Sequence, residues 1–269
     1  MPNHITNRLI VEGADKEKSK FFKHIKDDKE ERGYIDFNKI IQMPARMSEV
    51  ESSGRMAEVL LAYLIYTSPT IAFDEEGNLR KKAMFDILRA VESGVIARSR
   101  FVNFFASTEI LKKEEFQDIE RFKKYLENVQ YLASEKDKRG GKEEFLDEGR
   151  RLYLNILEHG VPTWYEWANK TWGTKWNAYD QTLFDGEIIF HTAWSGVPEL
   201  MRIMSEQFPE LTFHYLYADE DFGSNVGKLK IKNGVMLEAF FPASYSKEAL
   251  EIAEDLLGSQ TDYEDEEEN

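Results

Sequence analysis

The sequence predicts an α+β protein: one antiparallel sheet packed with helices, its two halves separated in the chain by a large all-helical insertion. Three observations predict it. Residues 4–12 set Ile5, Asn7, Leu9 and Val11 against Thr6, Arg8, Ile10 and Glu12, a near-alternation that reads as a strand, and an amphipathic stretch follows. The middle of the chain changes to helical periodicity. After Pro162 strand patterning returns, with Asn233-Gly234 between two β-type runs as the clearest hairpin signal in the chain.

Taken in order, the strand over 4–12 ends at Gly13, and residues 14–27 carry Phe21, Phe22 and Ile25 among lysines as a helix. Tyr34–Ile41 reads as a second extended segment, closed by Met43-Pro44, since the residue before proline is pushed out of helical space. Helical periodicity then marks 54–67, 78–94, 113–134 and 142–160, with a solvated connector at 135–141. Strands are expected at 176–180 and 187–194, joined by a turn at Asp185-Gly186. A helix follows over 197–207, with Pro198 at an early position, then strands at 211–217, 227–232 and 235–241. A last helix spans 244–257, opened by Ser244 or Ser246. Residues 1–45 are too few to bury a core alone, so the domain reads as discontinuous, 1–45 plus 161–260. Residues 46–160 are the helical insertion and 261–269 a disordered acidic tail.

The 269 residues include 18 Phe, 12 Tyr and 5 Trp, enough for a real core. Net charge is -15, from 50 acidic against 35 basic residues. Such a surface repels phosphate backbones, which disfavours direct nucleic-acid binding and favours a basic protein partner. The absence of cysteine removes disulfides, thiolate zinc sites, iron–sulfur clusters and a Cys nucleophile. Neither a signal-peptide pattern nor a membrane-length apolar run is present, so a soluble, cytoplasmic protein is expected.

Several stretches resemble a known family. The opening Met1-Pro2-Asn3-His4-Ile5-Thr6-Asn7, the segment Asp36-Phe37-Asn38-Lys39-Ile40-Ile41-Gln42-Met43-Pro44, the run Trp172–Ala178 and Thr192-Ala193-Trp194-Ser195 resemble the YubB ferredoxin-like family, whose members are found largely on plasmids and phages. That family usually has Trp-Cys where His4-Ile5 stand here. The resemblance covers about residues 1–45 and 165–241. It implies a ferredoxin-like fold, with helices on one face of the sheet and no iron–sulfur cluster. It implies no activity and no catalytic residues.

The densest aromatic-polar segment is Trp172-Gly173-Thr174-Lys175-Trp176-Asn177-Ala178-Tyr179-Asp180, continued by His191 and Trp194. One reading has Lys175, Asn177, Tyr179 and Asp180 lining a binding surface, with Trp172, Trp176 and Trp194 as flat anchors. The competing reading puts the tryptophans in the core and Asn177 on loop backbone; it is the better supported, since aromatic residues more often pack than bind. Asp36 and Asn38 share a strand face and would hold a polar ligand, or else bond their own backbone. None of the five histidines makes a metal-type pair, although His191 and His214 lie on neighbouring expected strands. Phosphate-loop, dinucleotide and nucleophile-elbow motifs are missing, and no metal, cofactor or catalytic residue is predicted. The expectation is therefore a non-enzymatic interaction protein of mobile-element origin, in its sharpest form an acidic decoy of a basic nucleic-acid-binding host protein. The alternative is a small-ligand binder or enzyme using the sheet face around Asp36, Asn38, Lys175 and Asn177.

Overall fold

The computed structural model describes residues 3–27, 33–50, 52, 56, 59 and 141–258. Apart from Met56 and Val59, the helices expected at 54–67, 78–94 and 113–134 lie outside the described residues, as does the acidic tail. The chain divides into two compact units, residues 1–43 with 168–269, and residues 44–167.

The first unit is built on six strands: β1 His4–Glu12, β2 Tyr179–Phe184, β3 Glu187–Ala193, β4 Thr212–Asp219, β5 Gly227–Lys232 and β6 Val235–Phe240. Their order across the sheet is β2-β3-β1-β4-β5-β6, and every neighbouring pair is antiparallel. Helix α1 (Asp15–Ile25) follows β1, and α5 (Pro198–Gln207) connects β3 to β4. The path β1-α1-β2-β3-α5-β4 with strand order 2-3-1-4 is the split βαβ arrangement of ferredoxin-like sheets, to which the β5–β6 hairpin is appended. Both two-residue turns expected from sequence form with left-handed backbone: Asp185 and Gly186 at φ 49° and 82°, Asn233 and Gly234 at 47° and 73°. The twist of such turns matches that of the strands they join.

On one face of the sheet, Ile5, Leu9, Phe190 and Phe213 are fully buried beneath α1 and α5. Phe21 of α1 sets its ring 5.2 Å from Phe213 and 5.1 Å from Phe208. Met201 and Met204 of α5 close the layer. The expectation of helices on one face describes α1 and α5. On the opposite face lies α6 (Lys247–Ala253), continued by a π-helical turn, Glu254–Gly258. Ser246 caps α6 by accepting from the Ala249 amide at 3.2 Å. Ala249, Ala253 and Leu256 pack there against Leu216, Ala218 and Val226, while Arg8 of β1 pairs with Asp255 at 2.5 Å. The last helix is amphipathic and needs an apolar partner, which the Leu216 and Ala218 side of β4 supplies.

One expected element takes another form. Tyr34–Ile41 is not a strand: Phe37–Lys39 is a single 3-10 turn capped by Asp36. The Asp36 carboxylate accepts from the Asn38 amide at 2.9 Å, local bonding that competes with pairing to a sheet. The strand that follows α1 in the sheet is β2, well over a hundred residues further along the chain.

In the second unit α2 (Ala45–Ser48) and α3 (Gly141–His159) are described, and α4 (Trp164–Thr171) runs across the boundary between residues 167 and 168. Arg46 pairs with Glu158 at 2.9 Å, and Arg151 with Asp147 at 2.8 Å and Glu49 at 3.4 Å. Among the described residues no helix is long and apolar enough to cross a membrane.

A buried polar chain runs through the sheet domain. The Val197 amide donates to the Tyr215 hydroxyl at 2.7 Å, and that hydroxyl donates to Asn7 Oδ1 at 2.5 Å. Asn7 Nδ2 then reaches the Phe190 carbonyl at 3.1 Å and Thr192 Oγ1 at 3.0 Å, and Thr192 donates to the Ser195 carbonyl at 2.7 Å. Asn7 and Tyr215 are both completely buried. Replacing Tyr215 by Phe leaves Asn7 Oδ1 and the Val197 amide without this partner at a fully buried position. We expect a loss of about 1–3 kcal/mol, read as a lower urea midpoint at unchanged slope.

Candidate functional site

The sequence-selected residues fall into two groups on opposite sides of the sheet. Phe190 and His191 are successive residues of β3 and so face opposite ways. Phe37 packs on Phe190 with centroids 6.0 Å apart, whereas Tyr179 packs on His191 at 5.8 Å.

Asp36, Asn38, Asn177 and Trp172 belong to the Phe190 side. Asp36 Oδ1 accepts from the Asn38 amide, from Asn38 Nδ2 at 3.0 Å and from Asn177 Nδ2 at 2.6 Å. Asn177 Oδ1 accepts from the Phe37 and Ala178 amides at 2.8 and 2.9 Å, and Asn38 Oδ1 from the Met43 amide at 3.1 Å. The Trp172 ring is buried, packs on Phe37 at 5.8 Å, and donates from Nε1 to the Ile41 carbonyl at 3.0 Å. These side chains lock residues 36–43 against the segment before β2. Gln181 adds to the lock by accepting from the Tyr34 and Ile35 amides, each at 2.7 Å.

Lys175, Trp176, Tyr179, Asp180, His191 and Trp194 belong to the other side, joined by His4 and Glu220. In the sheet register His191 lies opposite both Thr6 and Tyr179, and His4 lies opposite Ala193. The three rings of His4, Tyr179 and His191 meet edge-on, with centroids 5.7–6.1 Å apart. Tyr179 Oη lies 2.8 Å from His4 Nδ1 and 3.3 Å from the Thr192 carbonyl. A carbonyl only accepts, so all three atoms are satisfied when the phenol donates to Thr192 and His4 Nδ1–H donates to the phenol. The Glu220 amide donates to the His4 carbonyl at 2.9 Å, which holds the acidic residue beside the cluster. Asp180 sits at φ 46° within an irregularity of β2 and brings its carboxylate to 3.6 Å from His191 Nδ1.

Two flat side chains complete this surface. Trp194 follows β3 at φ 69°, a conformation that bulky residues rarely adopt, and its backbone is held there at both the amide and the carbonyl. Its amide donates to the Asn3 carbonyl at 2.9 Å, and its carbonyl accepts from Asn225 Nδ2 at 3.1 Å. Trp194 is 39% exposed. Thr174 both donates to the Ala193 carbonyl at 2.9 Å and accepts from the Ala193 amide at 3.0 Å. That double clasp places the next residues on each chain, Lys175 and Trp194, side by side. The Lys175 ammonium lies 4.5 Å from the Trp176 ring centre and 5.2 Å from that of Trp194. Trp176 in turn meets Tyr179 edge-on at 6.0 Å.

The electrostatics follow from this placement. Burial, reinforced by Asp180 and Glu220, pushes the Tyr179 hydroxyl up to about 12, so it is protonated at neutral pH and available as a donor. His191 is held below the ordinary histidine value, chiefly by burial; Asp180 and Glu220 oppose that shift and His4 adds to it. The surface therefore offers a protonated phenol, an imidazole disfavoured in its charged form, one ammonium and two carboxylates. Among the described residues there is no group of three or more metal-type side chains.

His4 and Glu220 were not selected from the sequence, because only the strand register brings them to Tyr179. His214, by contrast, does not meet His191: the two lie opposite Ile10 and Thr6, four residues apart along β1, and His214 pairs with Glu12 at 3.0 Å.

Two measurements test this geometry. Asn177→Ala strips the Phe37 amide of its acceptor and should cost about 1–3 kcal/mol in urea unfolding. Because His191 is held below its ordinary value of 6.5, the folded state binds fewer protons there than the unfolded chain. Its contribution is complete above that value and declines as pH falls through it towards the lower folded value. His191→Gln should flatten that part of the stability–pH curve; an unchanged curve would show that the imidazole is not held neutral by burial.

Residues 171–260 match the family model described as a ferredoxin-like domain in Api92-like protein. The crystal structure of a protein Api92 from Yersinia pseudotuberculosis aligns over 91% of this chain and 100% of that one, at 12% identity and a TM-score of 0.35. A search of curated proteins finds no significant match. The matched model carries the ferredoxin-like part of the resemblance and not the YubB name. The domain is ferredoxin-like, an antiparallel six-stranded sheet with helices in a mixed α+β protein.

Proposed function

We propose that this is a non-enzymatic binding protein that engages a basic polypeptide segment through the surface of His4, Lys175, Trp176, Tyr179, Asp180, His191, Trp194 and Glu220. The observation that carries the reading is that an exposed, backbone-strained Trp194 shares the Lys175 ammonium with Trp176, whose ring meets Tyr179 within the field of Asp180 and Glu220. Flat aromatic anchors beside fixed negative charge suit lysine and arginine side chains, and the overall charge of -15 steers such a partner in. The surface lies on β1, β2 and β3, beside the region where α6 packs on β4 and β5. The alternative, a ligand or enzyme site around Asp36, Asn38, Lys175 and Asn177, is less favoured. Asp36, Asn38 and Asn177 spend their hydrogen bonds on each other and on backbone, and they face away from Tyr179 and His191.

A sharper form has the protein as an acidic decoy of a basic nucleic-acid-binding host protein, acting in the cytoplasm and of mobile-element origin. What supports it is the excess of carboxylates, six of them in Asp262–Glu268, and the lack of cysteine suits a reducing compartment. Binding to such a partner should weaken with added salt and with removal of residues 262–269; insensitivity to both would remove the basis for the decoy.

The direct test of the surface is a titration of isotope-labelled protein with a short polylysine peptide. The indole N–H signals of Trp176 and Trp194 should move first, with His4 and His191. Asp180→Asn together with Glu220→Gln should weaken the affinity roughly three- to tenfold, as expected for two rim charges. Shifts confined to other surfaces, or an affinity indifferent to both substitutions, would overturn the proposal.

A further inference from the structure

The cleft between Trp176 and Trp194 is already filled, and its occupant belongs to the chain itself. We infer that this cleft is a cation site in which the Lys175 ammonium stands in for a lysine side chain of the partner, so that binding requires Lys175 to be displaced. The inference rests on the reading of this surface as a site for a basic segment, and adds to it what the cleft holds and what must leave.

The geometry is specific. The ammonium lies within about 6 Å of both ring centres, the range over which an indole face attracts a cation. The position is imposed by backbone, because the reciprocal Thr174–Ala193 hydrogen bonds fix where Lys175 and Trp194 begin. Trp194 is held in a left-handed conformation to present its ring there, and the Asn3 and Asn225 contacts keep it so. The lysine stem, in contrast, is a flexible chain of four methylenes that can swing to water. A rigid cleft with a flexible occupant is the arrangement of a site with an internal competitor.

The competitor sets a requirement on the partner. A tethered ammonium is present at high effective concentration, so one free amine displaces it poorly. A segment with several cations gains additional contacts at Asp180 and Glu220 while one of its side chains enters the cleft. Lys175 thus discriminates between isolated cations and polybasic segments, and removing its charge should tighten binding of both.

The experiment is calorimetric titration of the full chain with tetralysine, arranged as a double-mutant cycle. Lys175→Met keeps the length of the stem and removes the ammonium; we expect about a tenfold gain in affinity, the size of a cation–π contact at a partly exposed site. Loss of a positive charge would by itself favour tetralysine, so the gain is measured again with Trp176→Ala and Trp194→Ala in place. The inference expects the gain to fall there to the smaller part that loss of the charge alone supplies. A gain of equal size with and without the tryptophans would overturn it, as general electrostatics would suffice. So would an unchanged or weaker affinity in Lys175→Met. Lys175→Arg, which restores a resident cation, should return the affinity to that of the native chain. If tetralysine binds and responds to Asp180→Asn and Glu220→Gln but not to Lys175→Met, the binding surface stands and the internal competitor falls. If tetralysine binds neither the native chain nor Lys175→Met, both fall.

Discussion

The sheet domain depends on one buried side chain, the Asn7 carboxamide in the middle of the central strand. Burying an amide without partners costs several kcal/mol in an apolar setting, so Asn7 is tolerable only where each of its atoms is met. Its oxygen is met by Tyr215 of β4, and its nitrogen by the Phe190 carbonyl and Thr192 hydroxyl of β3. Those contacts fix the register of both neighbours of β1, since a slip of one residue would turn Asn7 to the other face. The chain of donors ends at the Val197 amide and the Ser195 carbonyl, either side of the turn that leads from β3 into α5. The polar spine therefore specifies where β3 stops and how the chain leaves it.

That stopping point is where the candidate surface begins. With Thr192 bound on its inner side to Asn7 and Ser195, and Ala193 clasped by Thr174, Trp194 has little choice of backbone conformation. Its strained φ follows from constraints on both neighbours. A strained, exposed tryptophan persists only when the surroundings over-determine it. Here the surroundings are the reciprocal Thr174–Ala193 bonds and the Asn7–Thr192–Ser195 chain. The stability of the Asn7 network and the presentation of the Trp194 ring are thus one property seen from two faces of the sheet.

Much of the fold was legible because it rests on local chemistry. The alternation of residues 4–12, the Asp185-Gly186 and Asn233-Gly234 turns and the Ser246 cap all announce themselves within a few residues, and each forms. The segment 34–41 reads as extended by its apolar alternation, but a signal equally present prevails: Asp36 two residues before Asn38, the pattern of a side chain bonding its own backbone. The site was legible by composition but not by arrangement. Trp172 and Trp176 look alike in the sequence, yet one packs on Phe37 in the core and the other carries Lys175 at the surface. Asn177 and Tyr179 are two residues apart and serve opposite faces, because β2 begins only at Tyr179 and strand alternation does not extend back to 177. His4 and Glu220 join the cluster through register alone, which no local pattern encodes.

The face of the sheet opposite α1 and α5 is shared between two solutions to the same problem, that a sheet has two sides and each must be covered or made soluble. Over β4 and β5 the chain covers it with its own last helix, anchored by the Arg8–Asp255 pair and the small Ala218, Ala249 and Ala253 contacts. Over β1, β2 and β3 it leaves rings in place and surrounds them with polar atoms: a phenol held protonated, an imidazole held neutral and two carboxylates. The segment proposed to bind here would meet a backbone already fixed by buried hydrogen bonds, so the sheet itself need not reorganise. The ordering cost of that proposed binding then falls chiefly on the Lys175 side chain and on the segment itself.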